Sequence, residues 1–133
     1  MEGYWFKSSL FDLVPGEDEE SNPQCYGKEL SAWLGKKLSY LGYNVEIIPE
    51  DWGWCVMCSR KPYSLWVGCG CMVDDENALN NESIVWHCFV VAEVPFIKRI
   101  FGNVNTQSGI SKLTSELESI LMGEPEIRLV EEP

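Results

Sequence analysis

Hydrophobic positions recur along this chain with two different periods, and the switches between them mark out its elements. Residues 4–14, YWFKSSLFDLV, alternate roughly and are rich in aromatic side chains, which predicts a strand ended by Pro15-Gly16. Asn22-Pro23 then reads as a helix start, with asparagine as the cap and proline in the first turn. Tyr26, Leu30, Trp33, Leu34, Leu38 and Leu41 recur at helical spacing, so a helix over about 23–41 carries one apolar stripe. Gly42 suits its C-terminus, while Gly27 and Gly35 weaken it and require tertiary packing to hold it.

A short strand over 44–48 leads into the most distinctive stretch, Ile48 to Met72, IPEDWGWCVMCSRKPYSLWVGCGCM. Residues 52–59 and 65–73 alternate around Lys61-Pro62-Tyr63-Ser64, which predicts a β-hairpin with Pro62 and Tyr63 at its tip. That tip pairs Cys58 with Val67, Val56 with Cys69 and Trp54 with Cys71. One face then carries Trp52, Trp54, Val56, Cys58, Leu65, Val67, Cys69 and Cys71, an apolar surface suited to a core. On the other face Gly68 and Gly70 leave a shallow trough beside Trp66, where a backbone or an aromatic ring can lie close. A side chain of the protein itself is the commoner occupant of such a trough.

Residues 74–83, DDENALNNES, read as a loop, and 84–94, IVWHCFVVAEV, as a central strand apolar on both faces. Pro95 opens a short helical piece that Gly102 closes. Asn105 or Thr106 caps a second long helix over about 106–122, with Ile110, Leu113, Leu117, Ile120 and Leu121 on one stripe. Residues 126–130 form a last edge strand or a loose tail. The order β-α-β-β-β-β-α-α-β predicts an α+β fold: a two-layer sandwich, its sheet mainly antiparallel, with the helices at 23–41 and 106–122 packed on one face.

At 133 residues and 45% hydrophobic content the chain makes one domain with a core of its own. It spans 1–133, with an acidic loop at 16–22 and an acidic tail at 124–133. The net charge of −11 argues against nucleic acid and is compatible with a basic protein partner. No apolar run is long enough for a membrane helix, and MEGYWFKSS lacks the pattern of a signal peptide, so the expected location is cytoplasmic. Six cysteines in such a chain are expected to stay reduced, as small hydrophobes. Oligomeric state is left open.

Zinc is the sharpest chemical alternative. Cys55 and Cys58 are three apart in a strand and face opposite sides, which weakens a knuckle. If Cys71 lies opposite His87, then Cys58, Cys69, Cys71 and His87 gather on one face; a register one residue different brings Cys88 instead. His87 and Cys88 are adjacent in a strand and cannot act as base and nucleophile for each other. Glu50 and Asp51 precede Trp52 and Trp54, where desolvation raises a carboxyl's pKa, although a turn is the commoner use of that pair. No catalytic motif is present, and no cofactor is called for.

GKELSAWLGKKLSYLGYNVE, IPEDWGWCV, LWVGCGCM, FVVAEVPFIKRIFG and the closing helix carry a resemblance to a family of small uncharacterised bacterial proteins. It runs from Phe6 to Val130 and is most specific in PEDWGW and WVGCG. Family members resembling this chain often have Asn at the position of Cys71, which speaks against a metal site using that thiol. The resemblance implies a bacterial cytoplasmic domain and no established activity. In size, acidity and aromatic content the chain is also similar to immunity proteins that neutralise toxins. The expected function is therefore a non-enzymatic protein-interaction module, possible surface residues being Glu50, Asp51, Trp52, Trp54, Trp66, Gly68 and Gly70. A metal- or cysteine-dependent enzyme and a small-molecule binder are the alternatives.

Overall fold

The computed structural model describes residues 3–12, 26–73, 83–102 and 104–133, so the acidic loop at 16–22 and the expected helix cap at Asn22-Pro23 lie outside the described residues. The elements are β1 (Tyr4–Ser8), α1 (Lys28–Tyr40), β2 (Glu46–Glu50), β3 (Gly53–Ser59), β4 (Ser64–Val73), β5 (Ile84–Glu93), α2 (Phe96–Phe101), α3 (Gln107–Met122) and β6 (Ile127–Val130). Their order is the expected one. The fold is α+β, with six strands in the order β2-β3-β4-β5-β1-β6 and every neighbouring pair antiparallel. None of the described helices is long and apolar enough to cross a membrane.

Strands β2 to β5 are neighbours in the sheet in chain order, a meander, while the loop expected at 74–83 lies, apart from Ser83, outside the described residues. β1 then inserts between β5 and β6, so both chain ends are held by long-range pairing. Residues 127–130, within the acidic tail, are thereby an edge strand, with Leu129 opposite Phe6.

Alternation divides the sheet cleanly. Phe6, Trp54, Val56, Cys58, Leu65, Val67, Cys69, Ile84, Trp86 and Cys88 share one core with Leu30, Leu34 and Leu38 of α1 and Leu113, Leu117 and Leu121 of α3. The leucines of each helix fall four residues apart, so one stripe enters the core and the rest meets water. Gly35 lies where α1 approaches β2: a Cβ there would stand 2.9 Å from Ile47 Cδ1. That contact explains a residue of poor helix propensity inside a helix. Gly42, at φ 101, closes α1 by donating to the Ser39 carbonyl, 3.1 Å away. At the start of α3 the Asn105 side chain supplies the capping oxygen, accepting from the Gln107 N–H at 2.9 Å. Tyr43, just after α1, donates to Glu116 of α3, and Lys112 bonds to the same two groups.

The hairpin register differs from expectation by two residues. Trp54 pairs with Cys69 and Val56 with Val67, and a bulge between Met57 and Ser59 brings Ser59 opposite Leu65. The connection at 60–63 is longer than a two-residue tip. An even shift preserves the faces, so the core side of the hairpin is as expected from Trp54 onward.

Candidate binding surface

Opposite the core, the sheet carries a continuous run of rings. Trp66 of β4 stacks on Trp52 at 5.5 Å between centroids, and Phe89 of β5 lies 5.4 Å from Trp52 and 6.1 Å from Trp66. His87 is 4.9 Å from Phe89 and stacks on Trp5 of β1 at 3.8 Å, the planes within 3°. Rings from three strands and one turn thus meet across the middle of the sheet.

Two glycines make this arrangement possible. Gly68 pairs directly with Phe89, and a Cβ at Gly68 would stand 2.2 Å from Phe89 Cζ. The ring therefore occupies the trough beside Trp66, a side chain of the protein itself. Gly70 pairs with His87 and has no such cover; the nearest atom to a Cβ there is the Trp52 carbonyl oxygen at 3.5 Å. It lies in a groove of about 460 Å³ walled by Trp5, Trp52, Trp66, His87 and Phe89. A second groove of about 340 Å³ shares Trp52 and Trp66 and adds Ile48, Met57, Glu50 and Glu93. Glu93 accepts a hydrogen bond from the Trp66 indole N–H at 3.2 Å, and Arg60, at the same groove, is paired with Glu46 at 2.7 Å.

The expected surface residues divide accordingly. Trp52, Trp66 and Gly70 line the first groove, Glu50 with Trp52 and Trp66 the second, Asp51 is exposed at the adjoining turn, and Gly68 is buried under Phe89. Trp54 lies in the core, as its place on the hairpin's apolar face predicted, at 3% exposure and with the Lys28 ammonium 5.5 Å over its ring, so its inclusion among the surface residues is corrected. Trp52 is the converse correction, expected in the core with Trp54 and found on the open side at 38% exposure. The cause is local. Alternation stops at the Asp51-Trp52 turn, and Gly53 at φ 151 lets the backbone press against β4, where a Cβ would meet the Cys69 carbonyl oxygen at 2.4 Å.

The proposed metal quartet does not form. Cys71 lies opposite Trp86 and Gly70 opposite His87, so His87 faces away from Cys58, Cys69 and Cys71. This is the alternative register, and it sets Cys88 beside Cys69, with 3.9 Å between the sulfurs. Among the described residues no group of three or more metal-ligating side chains is assembled. Burial pushes the Cys55 and Cys58 thiols up to about 12, and the Cys88 contact together with burial raises Cys69 further from its thiolate. A nucleophilic cysteine requires the opposite shift. His87 is 8% exposed, its Nε2 has no hydrogen-bond partner among the described residues, and burial lowers its pKa against the opposing field of Glu132.

Trp5, Phe89, Val91 and Glu93 were not legible as site residues. The alternation of residues 84–94 places Phe89, Val91 and Glu93 on one face, but Trp5 joins them only through the β1–β5 pairing, which no local signal announces. No protein-family model matches the chain, and no curated protein or solved structure matches it.

Proposed function

We propose that this chain is a bacterial cytoplasmic protein-interaction module, immunity-like in character, whose two long helices cover one face of the sheet in a two-layer sandwich and leave the aromatic face to bind. The observation that carries the reading is the Trp52–Trp66–Phe89 cluster, with Trp52 stacked on Trp66 and 38% exposed, beside two grooves. Tryptophans that present a flat apolar surface next to carboxylates are the usual anchors of protein interfaces. Glu50, Asp51 and Glu93 at the rim and a net charge of −11 favour a basic partner, by steering and by pairing. The resemblance carried by PEDWGW and WVGCG falls on this same surface.

The test compares proteins captured by the wild-type chain with those captured by W66A and by D51K. Loss of the same basic partner in both variants, with the fold intact by circular dichroism, supports the reading. Capture unchanged in both variants refutes it.

A second reading has its own observation. The groove at Gly70 is lined mainly by aromatic rings, and its volume of about 460 Å³ falls within the roughly 300–1,000 Å³ of small-molecule sites. A flat apolar ligand would lie against Trp52 and Trp66 and change their fluorescence. A metabolite library that leaves the emission of the wild-type chain unmoved removes this reading.

A further inference from the structure

Helix α2 is the other anomalous surface of this molecule. Its side chains Phe96, Ile97, Ile100 and Phe101 are between 56% and 84% exposed, and none of its residues is buried. Folded monomers rarely leave so many large apolar side chains together in water unless something covers them. The same six residues hold Lys98 and Arg99, so the patch is both apolar and cationic in a chain of net charge −11. Its position is fixed: Lys98 Nζ donates to the Pro62 carbonyl at the hairpin connection, 2.7 Å away, and the Arg99 guanidinium lies 5.9 Å over the Phe96 ring.

The groove of Glu50 and Glu93 has the complementary character. Ile48, Trp52, Met57 and Trp66 give it apolar walls, the two carboxylates give it charge, and Arg60 there is neutralised by Glu46. The exposure of α2 shows that it does not fill the groove of its own chain. We propose that the occupant of this groove is α2 of a second copy of the chain. The inference rests on the open face being the binding surface, and it names the partner. α2 begins three residues after Glu93, so basic knob and acidic groove adjoin. A two-fold arrangement then seats each copy's α2 in the other's groove, both contacts form together, and the assembly closes as a dimer. Two chains of the same sign repel at long range, but the surfaces that meet are of opposite sign.

The test is sedimentation equilibrium of the full chain as wild type, as K98E/R99E, as E50K/E93K and as an equimolar mixture of the two variants. The wild type is expected to dimerise with concentration, and each variant alone to associate roughly tenfold or more weakly, the scale of losing charge complementarity. The mixture is expected to recover the dimer, since the acidic α2 of one variant meets the basic groove of the other and the unaltered patches also meet. A wild type that stays monomeric to about 1 mM, the weak end of measurable affinity, overturns the proposal. If that monomer still binds a basic Phe-containing peptide through Trp66, only the dimer is lost and the binding surface stands. A monomer that binds anionic vesicles through α2 also overturns it. A dimer lost in K98E/R99E but kept in E50K/E93K puts the α2 contact elsewhere and overturns the proposal, while the binding surface is judged separately by the W66A and D51K captures.

Discussion

Gly68 shows how one missing methyl group shapes this surface. Phe89 lies on that glycine so closely that any Cβ would displace the ring, and Phe89 in turn supports Trp52 and Trp66. Gly68→Ala is therefore expected to destabilise the fold by about 1–3 kcal/mol, the range for overpacking, and to alter tryptophan emission. Gly70→Ala, which meets only an ordinary contact, is expected to cost far less; paired denaturant titrations separate the two. His87 is the chain's single histidine, which makes its titration easy to isolate. Its folded pKa is held below the ordinary 6.5 by burial between Trp5 and Phe89. As pH falls through 6.5 the unfolded chain takes up a proton that the folded imidazole still refuses. Stability from this group is thus fully present above 6.5 and declines as pH drops toward the folded value. An imidazole NMR midpoint below 6.5 is expected, with a pH-dependent loss of stability that H87F removes; a midpoint at or above 6.5 contradicts the burial account.

At the scale of elements, the chain's periodicity was informative wherever neighbours in sequence are neighbours in space. The leucine stripes of α1 and α3, the β3–β4 hairpin and the doubly apolar β5 all followed from local pattern. The hairpin register did not, because a bulge near Ser59 and a longer connection absorb two residues that alternation cannot count. Trp52 was misplaced for the related reason that a turn interrupts the alternation just before Gly53. The site was only half legible: PEDWGW and WVGCG pointed to the right hairpin, but the partners Phe89 and Trp5 depend on strand order. A consequence for the core follows from the shared leucine stripes. Leu117 is fully buried among strand residues, so Leu117→Ala is expected to cost about 2–5 kcal/mol in a urea titration, with the midpoint shifted and the slope unchanged. A cost below about 1 kcal/mol would mean that α3 is not docked as described.

The whole molecule has two unlike sides. The leucines of α1 and α3 share the core with one set of strand residues, whereas the other set concentrates rings, carboxylates and grooves. Among the described cysteines, Cys58, Cys69 and Cys88 are in the core, and burial keeps the Cys55 thiol protonated. Partners are expected to meet the aromatic side. The most direct test is site-specific photo-cross-linking, with a photoreactive side chain placed at exposed Met72 beside the groove and, separately, at exposed Lys36 of α1. Adducts to a protein partner from position 72, and none from position 36, are what this account predicts. Adducts from position 36 with none from position 72 would contradict it.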